Sequence, residues 1–94
     1  MVHELKTWDE FMMDVATGKK TFELRKDDRD FQEGDTLILK GGNMGGEGMT
    51  DHDLTFVPNG KVIEAEVIYV LTGGRFGLKS GYCIMSIKVI SYNF

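Results

Sequence analysis

The spacing of apolar residues changes at Gly18, and this change constrains the fold more than any other feature of the chain. Before Gly18, four apolar residues recur at i, i+3, i+4 and i+7, the spacing of one helix face: Trp8, Phe11, Met12 and Val15. After Gly18, apolar and polar residues alternate, as in strands that are buried on one face. The sequence therefore predicts one helix near the start, followed by a β-rich remainder.

The helix is predicted over residues 8–17. Thr7 and Glu10 fit a capping box, in which two side chains satisfy free N–H groups at the start of a helix. Asp9 and Glu10 also place negative charge at the positive end of the helix dipole. Gly18 is expected to end the helix, because glycine adopts the left-handed conformation found there at the lowest cost.

The predicted strands differ in how much of their surface is expected to be buried. In residues 21–25, Phe22 and Leu24 are predicted to face the core, with Glu23 and Arg25 on the opposite face. The segment 62–71 is rich in Val and Ile and is predicted to be central in the sheet. The last strand is predicted to alternate, with Cys83 on its buried face. The predicted strands cover residues 2–6, 21–25, 36–40, 54–57, 62–71 and 82–91.

The segment 41–61 is predicted to be largely loop, with a short strand near its end. Five of the residues 41–48 are glycine, which costs too much backbone entropy for the interior of an element. We therefore expect a mobile loop over residues 41–53, or the tip of a long hairpin. Asn59-Gly60 predicts a type I′ turn that joins the strand 54–57 to the strand 62–71.

One helix with five or six strands in 94 residues favours a β-rich α+β fold, and specifically a small barrel. Closure of a small sheet into a barrel removes its exposed edges. The length fits a single domain over residues 1–94.

Composition limits the classes of function. The net charge of −4 argues against a protein that coats nucleic acid by charge alone. Cys83 is the one cysteine, so no intramolecular disulfide forms and a reducing cytoplasm is expected. The start of the chain lacks the apolar stretch of a signal peptide, and no apolar run approaches the ~20 residues that span a bilayer. We expect a cytoplasmic monomer with no membrane partner and no cofactor.

The charges are unevenly distributed along the chain. Residues 18–29 hold five basic residues against three acidic ones, a balance of +2, whereas residues 41–66 hold one against five, a balance of −4. The basic residues are Lys19, Lys20, Arg25, Lys26 and Arg29. An anionic ligand is therefore expected close after the helix.

Glu23 and Arg25 lie two apart on a predicted strand and so share a face. The planar guanidinium suits a phosphate or a base edge, and the carboxylate suits an amino group such as that of cytosine. The alternative is a solvated ion pair worth less than ~1 kcal/mol. Spacing alone leaves both interpretations open.

The run Gly18-Lys19-Lys20-Thr21-Phe22-Glu23-Leu24-Arg25 closely resembles the G-x-K-x-x-E-x-R signature of ASCH domains, a branch of the PUA-like superfamily. The order of further segments resembles the DUF3850 family, a family of unknown function often found in phage and bacterial genomes. These segments are residues 3–6 before the helix, residues 28–31 with Gly34-Asp35, and residues 77–82 before the last strand.

The resemblance implies a PUA-like barrel with a cleft that binds RNA or a nucleotide-like molecule. Gly18 would shape the turn from helix to strand, and Lys20, Glu23 and Arg25 would line the cleft. His3 would border it or, alternatively, be an exposed terminal residue. Further ligand-binding candidates are the basic residues Lys19, Lys26 and Arg29, with Phe76 or Tyr82 stacking on a base.

Two other functions remain open at this stage. One ASCH branch resembles an amidohydrolase acting on an acylated cytidine, and uses the signature Lys, a Thr where this chain has Glu23, and a downstream Glu. In that case Lys20 and Glu23 would be catalytic, with Glu64 or Glu66 as the downstream residue. The acidic segment 41–66 suggests instead a surface that docks a basic protein. Asp51-His52-Asp53 lacks the ligand spacing of a metal site, so no metal is expected.

Overall fold

The structure, a computed structural model, describes residues 1–45 and 55–94. It is β-rich, with five strands and one short helix, as the sequence predicts. The helix lies near the start of the chain, between the first and second strands. In chain order the elements are β1 (Val2–Trp8), α1 (Asp9–Ala16), β2 (Phe22–Lys26), β3 (Thr36–Gly45), β4 (Thr55–Thr72) and β5 (Tyr82–Asn93).

The five strands form one curled sheet in the order β1-β3-β4-β5-β2. β1 runs parallel to β3, and every other neighbouring pair is antiparallel. The long strand β4 lies at the centre, which confirms the prediction for residues 62–71. β1 and β2 form the two edges, and no ladder joins them among the described residues. The sheet is therefore a half-barrel in this description, and its closure stays a prediction.

The helix forms close to where its apolar spacing predicts, but its start is different. α1 begins at Asp9, and the residue before it, Trp8, makes no side-chain capping hydrogen bond. The predicted capping box is wrong, because Thr7 belongs to β1 and its hydroxyl accepts a hydrogen bond from Arg25 instead. Gly18 follows the helix with a φ of 78°, the left-handed conformation expected of it.

The predicted apolar face of α1 is only half buried. Met12 and Val15 are fully buried in the core, whereas Trp8 and Phe11 remain partly exposed. With only eight residues, the helix covers one part of the sheet's inner face. Trp8 and Phe11 therefore lie beside an opening, described below, rather than in the core.

The core is built from the inner face of the curled sheet, closed on one side by α1. On β5 the buried residues alternate with half-buried ones, as predicted, and Cys83 is among them. Burial of this apolar surface is the main force that holds the strands against the helix. The buried apolar residues are Leu5, Met12, Val15, Phe31, Leu37, Leu39, Ile63, Ala65, Val67, Cys83, Met85 and Ile87.

The orientation of β2 is the reverse of the prediction. Phe22 and Leu24 are 47% and 53% exposed, whereas Glu23 is only 3% exposed. The register explains this, because Glu23 lies opposite Met85 and so shares its face, which is the buried one. The apolar residues of β2 consequently lie on the outer face of the sheet.

The glycine-rich segment continues as strand further than predicted. β3 extends to Gly45, so residues 42–45 are paired with β4 and Gly41 with β1 rather than forming a loop. Gly42 is needed there because a Cβ atom would collide with the ring of Phe56 and the carbonyl oxygen of Val57. The remainder of the predicted loop or hairpin tip, with Leu54, lies outside the described residues.

Asn59-Gly60 is not a hairpin turn, and the strands predicted on either side of it form one strand, β4. Between the pairs Lys40↔Val62 and Gly42↔Pro58, β4 has more residues than β3, so it bulges. Gly60 takes a φ of 85° in this bulge. The bulge is also anchored, because Asn59 and Lys61 both donate to Asp9 at the start of α1.

No helix within the described ranges is both long and apolar enough to cross a membrane.

Candidate functional site

A cleft of about 450 Å³ opens where the β2 edge faces the end of β1 and the start of α1. We call it the β1–β2 cleft. All nine residues that line it fall between positions 6 and 25, and they include the three signature residues Lys20, Glu23 and Arg25. The structure therefore brings the signature together at one opening of the sheet.

Glu23 lies at the base of the cleft with both carboxylate oxygens occupied. Lys20 Nζ is 2.7 Å from Oε2, and Arg25 Nη2 is 2.9 Å from Oε1. A buried carboxylate needs such compensation, because burial of an unpaired charge costs several kcal/mol. The interpretation of Glu23 and Arg25 as a solvated surface pair is therefore wrong.

Arg25 connects the two edge strands as well as pairing with Glu23. Its Nη1 donates to the carbonyl oxygen of Lys6 at 2.9 Å, and its Nη2 donates to Thr7 Oγ1 at 3.0 Å. Both acceptors belong to β1. The guanidinium therefore satisfies polar groups of an edge strand that has no backbone partner on this side within residues 1–45 and 55–94.

Lys20 is held by contacts of three kinds. Besides the carboxylate, its ammonium donates to the carbonyl oxygen of Phe22 at 2.8 Å. It also lies 4.7 Å from the ring centroid of Phe22 and 5.5 Å from that of Phe11, within cation–π range. The ammonium is thus fixed in position, since two aromatic rings and two oxygens surround it.

The walls of the cleft are aromatic, which the sequence analysis did not predict. Trp8, Phe11 and Phe22 line the opening and are each more than a third exposed. Trp8 in turn packs against Phe56 of β4, with ring centroids 5.8 Å apart. Helix periodicity and strand alternation had assigned Phe11 and Phe22 to the core. The signal for them in the sequence is their closeness to the signature.

The cleft is basic although the whole chain is acidic. Its lining contains Lys6, Lys20 and Arg25 against the single carboxylate of Glu23, a balance of +2. The protein as a whole carries −4. An electron-rich ligand is therefore attracted to this opening more than to the average surface.

The other predicted basic residues lie around the cleft rather than in it. Lys26 and Arg29 line a smaller pocket of about 160 Å³ that also contacts Arg25. Arg29 Nη1 donates to the carbonyl oxygen of Glu4 at 2.6 Å, a second link to the edge of β1. Lys19 is exposed on the turn after α1 and does not line the β1–β2 cleft.

The aromatic candidates near the last strand are not brought to the cleft. Phe76 is exposed at the turn before β5, with a φ of 53°. Tyr82 begins β5 and lies opposite Lys26 in the β2–β5 ladder. Neither residue lines the β1–β2 cleft.

His3 is neither exposed nor part of the cleft lining. It is buried beneath the ring of Phe31, and its Nε2 lies 2.8 Å from Asp35 Oδ2. This hydrogen bond, with one from the backbone N–H of Gln32 and the charge of the N-terminal ammonium, lowers the pKa of Asp35 to about 2. The cluster joins β1 to the turn before β3 and so has a structural role.

Of the residues named for the amidohydrolase, Lys20 and Glu23 line the cleft, but the candidates for the downstream glutamate do not. Glu64 and Glu66 lie on β4, opposite Ser91 and Lys88, and do not line it. Within residues 1–45 and 55–94, no group of three or more His, Cys, Asp or Glu side chains is placed to hold a metal. The predicted acidic segment is described only in part, because Glu47 and the run Asp51-His52-Asp53 lie outside the described residues.

Cys83 is a buried strand residue, as predicted, and is not poised as a nucleophile. Burial raises the pKa of its thiol, and the negative charges of Asp27 and Asp28 raise it further. The thiolate is the nucleophilic form, so this cysteine is held in its unreactive state at neutral pH.

These observations define a small β-rich protein with a basic, aromatic-walled cleft at the edge of a curled sheet. A comparison with protein-family models matches residues 2–87 to DUF3850, described as a domain of unknown function. The match spans most of the chain, which therefore belongs to this family, as the order of its segments indicates. A search of the curated proteins finds no match.

Proposed function

We propose that this protein is a PUA-like, ASCH-type module that binds RNA or a nucleotide-like molecule in the β1–β2 cleft. The observation that carries the proposal is the combination of Lys20 and Arg25 with aromatic walls in one opening. Cationic groups attract the phosphates and the electron-rich edges of nucleotides, and aromatic rings stack on their bases. We further propose a single-domain cytoplasmic monomer, a location that the lone Cys83 supports.

The size and charge of the cleft limit the form of the ligand. A volume of about 450 Å³ falls in the range of small-molecule sites, roughly 300–1,000 Å³. It suits one or two unstacked nucleotides and not the side of a double helix. Because few phosphates can be neutralised, the binding constant is expected to fall only shallowly with salt, with a log–log slope of about −1 to −2.

The proposal is tested by titrating isotope-labelled protein with short single-stranded RNA and with free nucleoside monophosphates. Chemical-shift changes are expected at the backbone amides of residues 20–25 and at the indole N–H of Trp8. Arg25→Ala is expected to weaken binding by at least about tenfold, the loss of roughly one charge-assisted hydrogen bond. Arg75→Ala serves as the matched control, because Arg75 is exposed on the turn before β5 and does not line the cleft.

Lys6→Ala provides a second variant that leaves the buried cluster intact, because the Lys6 side chain is exposed at the rim. It is expected to lower the affinity less than Arg25→Ala does. Shifts confined to residues outside the cleft, or an unchanged affinity in both variants, would refute the proposal.

One observation favours the amidohydrolase as a second candidate. The Lys20 ammonium contacts the Glu23 carboxylate directly, at 2.7 Å, inside a cleft that reaches the surface. Such a pair can exchange a proton with a bound substrate. This candidate predicts release of a carboxylic acid from an acylated cytidine, with loss of turnover in a folded Lys20→Ala variant. Absence of product from the unaltered protein would exclude it.

The third alternative, a docking surface over residues 41–66, gains no support from the contacts among the described residues. Glu64 and Glu66 are half-buried there, and the other acids of the segment lie outside the described residues.

A further inference from the structure

We propose that the turn between β4 and β5 is a second RNA-contacting surface, on which Phe76 stacks against a base of a single strand that leaves the β1–β2 cleft. We call residues 73–81 the β4–β5 tip. This inference rests on the proposed function, because it extends the contact with the same ligand beyond the cleft. It follows from an aromatic residue that the fold does not favour and from basic residues that connect the tip to the cleft.

Phe76 occupies a turn position that suits other residue types. Arg75 and Leu78 form an isolated bridge, and the N–H of Leu78 donates to the carbonyl oxygen of Arg75 at 2.9 Å. The two residues between them, Phe76 and Gly77, have φ values of 53° and 81°. Positive φ at both central residues matches a type I′ turn, which favours Asn, Asp or Gly there. A bulky side chain in this conformation is strained.

Packing within the protein does not compensate for this strain. Phe76 is 85% exposed, the most exposed large apolar side chain among the described residues. A ring that stays in water gains little from the hydrophobic effect. Its neighbour Arg75 has Cζ 5.7 Å from the ring centroid, which leaves most of the ring surface open. Strained residues are typical of sites that meet a ligand, and a partner outside the chain accounts for this one.

The tip holds the ring in a fixed position. Backbone hydrogen bonds join Gly73 to Tyr82 at 2.7 Å and Gly74 to Leu78 at 2.8 Å. A Cβ atom at Gly73 would collide with the carbonyl oxygen of Lys79, so the two arms of the tip pack closely. An aromatic side chain on an ordered turn loses little entropy on binding and therefore makes an efficient platform for a base.

The charge around the tip favours a nucleic acid as the partner. Residues 67–94 contain three basic residues, among them Arg75 and Lys79, and no acidic residue. Asp27 reaches the base of the tip, where its backbone N–H donates to the carbonyl oxygen of Gly81 at 2.8 Å. The tip thus combines an exposed ring with positive charge, the two features with which proteins bind single strands.

Basic residues connect the tip to the cleft. Arg25 lines both the β1–β2 cleft and the smaller pocket of about 160 Å³, whose lining also includes Lys26, Arg29 and one acidic residue. Lys26 lies opposite Tyr82 in the β2–β5 ladder, and Lys79 Nζ lies 5.7 Å from the ring centroid of Tyr82. A strand that leaves the cleft can therefore follow one positively charged edge to the tip.

The test compares a ligand that fills the cleft alone with one that is long enough to reach the tip. The short ligand is a uridine dinucleotide, and the long ligand is a single-stranded RNA of about ten nucleotides, a typical length for small single-strand-binding domains. Both are titrated by fluorescence anisotropy at one salt concentration. Phe76→Asn is expected to bind the longer RNA about tenfold more weakly, the usual loss of one stacked base, and the dinucleotide equally well.

Phe76→Asn also separates binding from folding. Asn-Gly is a preferred pair for a type I′ turn, so the thermal midpoint of the variant should rise by on the order of 4 °C while its affinity for the longer RNA falls. A merely structural role for Phe76 predicts a lower midpoint instead. Tyr92→Asn is the matched control, because Tyr92 is 59% exposed near the other end of β5. It should keep both affinities.

Lys79→Ala tests the contribution of charge at the tip. Loss of one phosphate contact should make the log–log salt slope of the longer RNA less steep by about 0.7, with no change for the dinucleotide. Arg75 is placed beside the ring of Phe76 rather than at a phosphate. Arg75→Ala therefore stays neutral toward mononucleotides and short strands, which remain in the cleft.

The outcomes separate this inference from the function on which it rests. Equal affinity of Phe76→Asn and the unaltered protein for the longer RNA, or an equal loss for both ligands, would overturn the role of the tip. If Phe76→Asn kept its RNA affinity and lost binding to vesicles of phosphatidylcholine and phosphatidylserine, the tip would be a membrane contact and the inference would likewise fail. Failure of both RNA ligands to bind the unaltered protein would overturn the proposed function itself.

Discussion

Arg25 on β2 donates from Nη1 to the carbonyl oxygen of Lys6 on β1 at 2.9 Å, and this hydrogen bond helps to join the two edges of the sheet. Arg29 makes an equivalent bond to Glu4, two residues earlier on the same edge. The described strands form no ladder between β1 and β2. The hydrogen bonds from these two arginine side chains therefore take the place of backbone pairing between the two edges. A residue proposed to meet the ligand is thus also part of the framework.

Arg25→Lys is therefore expected to destabilise the protein although it keeps the charge. A lysine ammonium cannot reproduce the three acceptor contacts that the guanidinium makes with Glu23, Thr7 and Lys6. The free energy of unfolding should fall by about 1–3 kcal/mol, measured by urea denaturation. Arg75→Lys at the exposed turn should change it by less than about 0.5 kcal/mol. Equal effects of the two variants would contradict the bridging role.

Removal of the Glu23 carboxylate should lower the free energy of unfolding strongly, because two cationic side chains share it as a partner. Glu23→Ala leaves Lys20 and Arg25 without their shared partner in a partly buried site. We expect a loss of about 3–5 kcal/mol, the usual cost of breaking a buried charge pair on one side. Glu23→Gln, which keeps the shape, should cost less. Glu33→Ala, at an exposed position, is the control, and a Glu23→Ala protein of unchanged stability would disprove the role of the cluster.

Asp35 should make the stability dependent on pH in the acid range. The hydrogen bond from His3 and its other partners lower the pKa of Asp35 from 3.8 to about 2. The carboxyl group of Asp35 binds its proton less tightly in the folded protein than in the unfolded chain. The ionised carboxylate therefore stabilises the fold, and this contribution is complete above about pH 4. It should be lost progressively as the pH falls from about 4 to about 2.

The measurement is the free energy of unfolding at several pH values, for the unaltered protein and for Asp35→Asn. The variant should be less stable at neutral pH, and its stability should fall less between pH 4 and pH 2. If both proteins lost the same stability over that range, another carboxyl group would be responsible.

Gly42→Ala tests the close approach of β3 and β4. A Cβ atom at Gly42 would lie 2.5 Å from Cζ of Phe56, and closer still to the carbonyl oxygen of Val57. We expect a loss of about 1–3 kcal/mol, as for other overpacked sites. Gly41→Ala, where the nearest atoms belong to the side chains of Met12 and Asn59, should cost less because those chains can move. The two stability losses are measured by thermal unfolding. A larger loss for Gly41→Ala than for Gly42→Ala would contradict the described register.

The elements that the sequence predicted correctly are those whose signal is local and complete. The apolar spacing of α1 locates the helix to within a residue at each end. The run of Val and Ile in β4 likewise shows in the sequence that this segment is central. The alternation in β5 shows which of its faces is buried. In each case the residues that determine the structure lie within the element itself.

The orientation of β2 could not be predicted, because alternation identifies two faces without showing which one is buried. Hydrophobicity favoured Phe22 and Leu24, yet Glu23 is the buried residue. Its burial depends on Lys20 and Arg25 as partners and on the register with β5. Only the folded structure shows that the charges of Lys20 and Arg25 compensate the buried carboxylate of Glu23.

Asn59-Gly60 failed as a turn signal for a similar reason. The dipeptide favours a φ above zero, and Gly60 does adopt one, at 85°. A hairpin and a bulge both use this conformation, and the pairing with β3 decides between them. The signature residues Lys20, Glu23 and Arg25 line one opening. The aromatic walls of that opening depend on how far α1 extends across the sheet.

The order of the strands also determines when the cleft is completed as the chain is made. Its lining residues, between positions 6 and 25, are synthesised before β3, β4 and β5. β1 gains its neighbour only when β3 has been synthesised, and β2 gains its own only with β5, the last of the five described strands. Synthesis at roughly 5–20 residues per second therefore leaves the nascent segment without its sheet partners for several seconds. The residues that line the cleft are thus synthesised before the strands that complete their sheet.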